Sequence, residues 1–282
     1  MSDSLFFANR SVKLSLPLVM GVINLTPDSF YGRSRFLTED AAVKAAGSMI
    51  DAGAAIIDVG GYSTRPGSCF VTEGVEMERV IPILKLLRRE FPDAIISVDT
   101  FRSAVAGRAV LDCGADMIND ISGGTYDTEM GRLAGRLSVP FVLMHNRGNP
   151  FNIHGDKMYD DVTESLLDWF GKRIDELRGV GVSDIIIDPG FGFSKSPHQS
   201  FELLRRLQEF CRFGLPVMAG LSRKSMIWKS LSLSPEEALN GTSALNMAAL
   251  IKGAGILRVH DVKEACEVVR LFHKMGGVGW SV

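Results

Sequence analysis

Residues 52–61 read Ala52-Gly53-Ala54-Ala55-Ile56-Ile57-Asp58-Val59-Gly60-Gly61. The glycine at 53 stops a helical stretch, because glycine enters the left-handed C-terminal position without steric cost. A short, almost unbroken apolar run follows, the pattern of a strand covered on both faces. The run then ends in a carboxylate and a glycine pair. The same unit recurs along the chain. Apolar runs lie at residues 18–23, 55–59, 94–98, 116–118, 140–144, 184–187, 215–219 and 255–259. Glycine stops recur as Cys113-Gly114-Ala115, Val180-Gly181-Val182 and Lys252-Gly253-Ala254.

The segments between the runs carry helical periodicity. Ala41, Ala45, Met49 and Ile50 fall on one face, as do Val80, Ile83, Leu84 and Leu87, and Leu203, Leu204, Leu207 and Phe210. Ser234-Pro235-Glu236-Glu237 reads as a capping box with proline at the first helical position. Asp261 ahead of Glu264 follows the same logic.

Eight strand–helix alternations have two main solutions, a closed barrel or an open doubly wound sheet. An open dinucleotide-binding sheet would carry a GxGxxG turn after its first strand. Here the first run leads into Asn24-Leu25-Thr26-Pro27-Asp28-Ser29-Phe30. The count and the 282 residues favour a (β/α)₈ TIM barrel, which typically needs about 250 residues. No linker or low-complexity segment divides the chain, so residues 1–282 read as a single domain. Residues 1–17 read as a lead-in and 275–282 as a flexible tail.

Composition excludes several classes of function. The formal net charge is −2, with no basic stripe, so nucleic acid is not an expected partner. The start carries Asp3, Arg10 and Lys13 without a long apolar run, and no later run reaches membrane-spanning length. Neither a signal peptide nor a membrane span is expected. Cys69, Cys113, Cys211 and Cys266 show no CxxC or zinc spacing and read as reduced thiols of a cytoplasmic protein.

Each run ends in a residue that can bind or ionise: Asn24, Asp58, Asp99, Asn119, His145, Asp188, Ser222 with Lys224, and Arg258 with His260. In a barrel these ends converge on one mouth, the face where active sites form. One carboxylate at a strand end is as often a cap or a loop anchor, but eight polar ends in register point to a site. Gly60-Gly61-Tyr62-Ser63-Thr64-Arg65-Pro66-Gly67 permits close backbone approach to a ligand, and Arg65 offers a planar fork. Asp188, opening Asp188-Pro189-Gly190-Phe191-Gly192-Phe193, can accept two parallel N–H bonds from a guanidine-like edge. Lys224, Arg258 and His260 lie after the seventh and eighth runs, where barrels frequently bind phosphate.

These blocks together resemble the dihydropteroate synthase family nearly end to end. The resemblance rests on residues 21–30 and 57–67, with Ser97-Val98-Asp99-Thr100, Asn119-Asp120-Ile121, Leu143-Met144-His145, residues 188–193, Ser222-Arg223-Lys224-Ser225 and Arg258-Val259-His260-Asp261-Val262. It implies condensation of (7,8-dihydropterin-6-yl)methyl diphosphate with 4-aminobenzoate, giving 7,8-dihydropteroate and pyrophosphate. Asp188, Asp99 and Asn119 would read the pterin, with Thr64 also on the pterin diphosphate. Lys224 would bond the pterin carbonyl side, and Arg258 and His260 would hold the diphosphate. Asn24 would hold a Mg²⁺ cofactor. Thr64, Arg65, Pro66, Phe193, Ser225 and Phe30 would form the aminobenzoate pocket. Lys224, Arg258, His260 and Asp99 would carry the catalytic duties. The attacking amine comes from the second substrate, so no protein nucleophile is needed, and charge stabilisation of the leaving group is the main demand. The resemblance also implies a homodimer and a sulfonamide target.

The chain departs from the family in two places. Tyr62 stands where the family often has an acidic residue, and Ser29-Phe30 leads into Tyr31-Gly32-Arg33-Ser34-Arg35 rather than a Ser-Asp-Gly-Gly run. Two other readings compete. A methyltetrahydrofolate-dependent methyltransferase shares the pterin pocket but has no diphosphate to hold. A non-catalytic pterin-binding barrel would keep the pocket without turnover.

Overall fold

The computed structural model describes residues 4–7, 12–25, 39–62, 70–152 and 158–276. A hairpin, β1 (Ser4–Phe7) and β2 (Val12–Ser15), comes first. Then follow β3 (Leu18–Asn24), α1 (Glu39–Asp51), β4 (Ile56–Gly60), α2 (Glu73–Glu90), β5 (Ile95–Asp99), α3 (Ser103–Cys113), β6 (Met117–Asp120), α4 (Glu129–Leu137), β7 (Phe141–Met144) and α5 (Val162–Gly179). The chain continues with β8 (Ile185–Asp188), α6 (Pro197–Arg205), a 3₁₀ segment (Leu207–Phe213), β9 (Met218–Ala219), α7 (Ser225–Ser230), α8 (Leu239–Ile251), β10 (Ile256–Val259) and α9 (Val262–Lys274).

Strands β3 to β10 form one parallel sheet in the order β8-β7-β6-β5-β4-β3-β10-β9. A parallel bridge between Ile187 and Val217 brings β9 back to β8, so the sheet curls into a nearly closed TIM barrel. All eight predicted strands are present. The four helix stops also hold: Gly53, Gly114, Gly181 and Gly253 have φ of 104°, 70°, 94° and 93°.

Side chains alternate across each strand, and the alternation sorts the apolar residues into two cores. Val19, Ile23, Ile57, Val59, Ile96, Val98, Phe141, Leu143, Ile185 and Ile187 pack outward under the helices. Leu18, Met20, Ile56, Ile95, Met117, Val142, Ile186, Met218 and Ile256 fill the barrel interior. Leu5 and Phe7 of the hairpin belong to that interior cluster. The segment expected as a lead-in therefore plugs the amino-terminal end of the barrel.

Three helix details differ from expectation. In α1 the fully buried positions are Ala42 and Ala46, with Met49 and Ile50 half-buried, so the core face is turned one residue from the predicted one. Helix α8 starts at Leu239, one turn after the predicted box. Glu237 does accept from the Ser234 N–H at 2.9 Å, which is half of that box. The Asp261 carboxylate does not cap α9, because it is taken by Arg223 at 2.8 and 2.9 Å. The full capping box lies at Ser196 and Gln199, with Pro197 at the first position of α6.

Among the described residues no helix is long and apolar enough to cross a membrane, and Cys113, Cys211 and Cys266 are free thiols. Cys69 lies outside the described residues. Of the predicted tail, Met275 and Gly276 turn out of α9, and residues 277–282 lie outside the described set.

Candidate active site

Strand parity sets which polar residues enter the barrel. Asp58, Ser97, Asp99, Asn119, Asp188 and Arg258 share the inward parity of the interior core, one or two steps nearer the carboxyl mouth. Asp58 pairs in register with Ser97, and Asp99 with Asn119. These neighbours form one network. The Arg258 Nε donates to Asp58 Oδ2 at 2.8 Å, and its Nη2 lies 2.6 Å from Asp99 Oδ2 and 2.7 Å from Asp58 Oδ2. The Asn119 amide donates to the same Asp58 oxygen at 2.9 Å. Asp58 Oδ1 and the Ser97 hydroxyl have no protein hydrogen-bond partner among the described residues.

Burial governs the electrostatics of this network. Loss of solvent pushes the Asp99 carboxyl up to about 7, against the pull of Arg258 and with help from the charges of Asp58, Glu76 and Asp120. Arg258 is held above its usual range, because the neighbouring aspartates outweigh its burial. The arginine expected at the diphosphate thus lies between two carboxylates inside the barrel.

Asp188 ends β8 and is 5% exposed. Its Oδ1 accepts from the Gly190 N–H at 2.8 Å, which fixes the carboxylate's orientation. Burial raises its pKa, opposed first by Lys224. Lys224 donates to the Phe191 carbonyl, and its Nζ lies 4.5 Å from the Phe193 ring centroid. Burial lowers the ammonium to about 8, although Asp188 opposes the fall. Phe191 itself is core, with no exposure.

His260 sits against Ser222, with its Nδ1 3.1 Å from the hydroxyl. Ser225 opens α7, directly after Lys224. Asn24 ends β3 opposite Gly60 and is half-buried. Asp120 has outward parity and serves the backbone, accepting from Ser122 N–H, Ser122 Oγ and Gly124 N–H at 2.7, 2.7 and 2.8 Å. His145, expected at the mouth from its place at a strand end, also has outward parity. It is 2% exposed and packs edge-on against Trp169 with centroids 4.9 Å apart. Phe30, Thr64, Arg65 and Pro66 lie outside the described residues.

Sequence reasoning misses four features here. Ile121, Met144, Phe101 and Tyr62 form an apolar cluster at the carboxyl ends of the strands, with Phe193 packed against it. Glu76 and Arg102 make a buried ion pair whose guanidinium lies 4.7 Å from the Phe101 ring and 5.4 Å from Tyr62. Tyr62, the departure from the family pattern, donates to the Pro150 carbonyl at 3.0 Å. Lys195 is 2% exposed and bonds only inside the fold. No periodicity marks Arg102 or Lys195, since both lie in loops after strands.

A parallel barrel with convergent buried charges and an apolar wall at its carboxyl mouth has the architecture of a barrel enzyme with its site at that face. Residues 20–260 match the family of pterin binding enzymes, and the chain belongs to it. It is 43% identical to a dihydropteroate synthase of Synechocystis over 90% of this chain and 88% of that one. It superposes with a TM-score of 0.85 and 39% identity on a Clostridium difficile dihydropteroate synthase solved with pteroic acid, covering 92% of this chain and 97% of that one. A Xanthomonas albilineans dihydropteroate synthase with 4-aminobenzoic acid gives a TM-score of 0.88 and 36% identity, covering 99% and 100%.

Proposed function

We propose that the chain is a dihydropteroate synthase, a transferase that joins dihydropterin-methyl diphosphate to 4-aminobenzoate with release of pyrophosphate. The observation that carries this reading is the inward set Asp99, Asn119, Asp188 and Arg258, with Lys224 beside it, in a chain matched by synthases over nine-tenths of its length. A pterin offers an amino group and ring N–H groups along one edge. Asp188, buried and oriented by Gly190, supplies the charged acceptor for that edge. Asn119 and Asp99 supply mixed donors and acceptors for the other heteroatoms. Ile121 and Met144 offer apolar faces for the ring, and Phe193, packed against their cluster, would border the aminobenzoate side.

The chain's own residues then act by position and charge. Lys224 lies beside Asp188 and would hold the pterin carbonyl side. Arg258 and His260 would face the diphosphate, with Nε and Nη2 of the arginine engaged by the aspartates. Negative charge grows on the leaving pyrophosphate, and fixed cations stabilise it more than they stabilise the ground state. The C–O bond to diphosphate would break first, leaving a methylene cation conjugated with the electron-rich pterin, and the amine of 4-aminobenzoate would then form the C–N bond to that carbon. The amine proton leaves to solvent.

Asn24 is a single uncharged oxygen donor, and no group of three His, Cys, Asp or Glu forms a metal cage among the described residues. The Asn24 amide oxygen is a hard donor of the kind Mg²⁺ takes, so Asn24 would hold the ion. Such an ion would offset charge on the diphosphate. A cytoplasmic homodimer completes the reading, and equilibrium sedimentation tests the dimer.

Mixing the protein with the pterin diphosphate, 4-aminobenzoate and Mg²⁺ is expected to release pyrophosphate and form 7,8-dihydropteroate. Absence of both products overturns the proposal.

A further inference from the structure

The turn after β8 starts from Asp188, proposed for the pterin, and carries Phe193, proposed for 4-aminobenzoate, and its shape is unusual. Gly190 and Gly192 have φ of 69° and 78°, and Ser194, a residue with a side chain, has φ of 50°. The Phe193 N–H closes back on the Gly190 carbonyl at 3.0 Å. A Cβ at Gly190 would lie 2.3 Å from the His145 carbonyl oxygen, so the turn rests directly on the end of β7. The two glycines take this backbone without steric cost, whereas Ser194 is strained there unless its surroundings hold it.

Lys195 is what fills the inside of this turn. Its Nζ lies 2.9 Å from the Phe193 carbonyl, 3.2 Å from the Gly190 carbonyl, 3.2 Å from the His145 carbonyl and 3.0 Å from His145 Nδ1. An ammonium has three N–H donors and no acceptor, so four acceptors around it saturate it. Burial, with the charges of Lys195 and Arg147, pushes His145 well down, which leaves its ring neutral and able to accept. Burial also lowers Lys195 itself, while Asp188 works in the other direction. The Ser194 hydroxyl adds a second tie, donating to Asn146 Oδ1 at 2.7 Å.

Resting on the synthase reading, we propose that Lys195 is a positioning residue for pterin binding: its side chain pins the Gly190 and Phe193 carbonyls to the end of β7. It thereby fixes the Gly190 N–H that orients Asp188 and the Phe193 ring that lies against Lys224. Lys195 reaches no reacting atom, and its effect passes through those two side chains. The surface of the turn that meets substrate depends on a cation buried behind it.

The test is steady-state kinetics on K195M, with folding checked by circular dichroism and thermal melting. Methionine keeps the length and removes the donors. The expected result is a folded protein whose KM for the pterin diphosphate rises about tenfold or more, as for loss of a buried charged donor. The KM for 4-aminobenzoate is expected to rise as well, through Phe193, while kcat stays within about threefold. A folded K195M with the parental pterin KM overturns the proposal, and so does a fall in kcat with pterin KM unchanged. Should K195M not fold, K195Q decides by the same criterion, because its amide stays polar in that surround but has only two N–H donors for the three carbonyls. Turnover of the unaltered chain, measured alongside, separates this outcome from failure of the synthase reading.

Discussion

At Asp188 a single carboxylate does two tasks: it accepts from its own turn and is available to a ligand edge. D188N keeps the size and removes the charge. A hydrogen bond to a charged group is worth roughly 1.5–3 kcal/mol, so binding of the pterin diphosphate is expected to weaken about 10- to 150-fold by calorimetry. Unchanged affinity would remove Asp188 from the pterin site. Lys224 sets a pH limit. Its pKa is lowered to about 8 by burial, so the ammonium is present below that pH and lost as pH rises through it. The kcat/KM for the pterin diphosphate is therefore expected to fall above about pH 8. K224R, whose guanidinium does not titrate in this range, is expected to lose that limb. A limb that persists unchanged in K224R assigns it to another group.

At the level of elements, strands and helix ends were legible to different degrees. The strand runs were clear because residues covered on both faces must be apolar. The glycine stops were clear because their φ is open to glycine and strained for others. Helix starts were less so. Ser234 and Glu237 match the box pattern, yet α8 begins a turn later, while Ser196 and Gln199 make the complete box. A cap motif describes local options, and Arg223 removed the Asp261 cap by a contact from a distant loop. The Ser196 cap predicts that S196A lowers stability by about 1 kcal/mol, read by urea unfolding. A midpoint unchanged from the parent protein would show that the Ser196–Gln199 exchange contributes nothing net.

For the whole molecule, the hairpin and the mouth lie at opposite ends of the barrel. Leu5 and Phe7 close the amino-terminal end against Met20, Ile56 and Met117, and the charged network lies toward the other. Phe7 is fully buried. F7A is expected to cost about 3–5 kcal/mol in global unfolding, from lost burial and the cavity left behind. The KM values of the folded variant are expected to match the parent, because the plug belongs to the apolar cluster at the other end of the barrel from the mouth. An altered pterin KM in F7A would show that the plug communicates with the mouth.

The sequence by itself determined the barrel, the order of its strands and the polar residue at each strand end, because those follow from local patterns of burial and turn geometry. It also determined the family, through ordered blocks from Gly21 to Val262. Tertiary structure decided which members of the ring share a network. Parity sent Asp58 inward to Arg258 and Asn119, and His145 outward to Trp169 and Lys195. It also turned the expected lead-in into the barrel's plug, since Leu5 and Phe7 find their core only once eight strands have closed around it. Those facts depend on contacts between residues far apart in the chain, as far as the 200 positions between Asp58 and Arg258, and no local pattern encodes them.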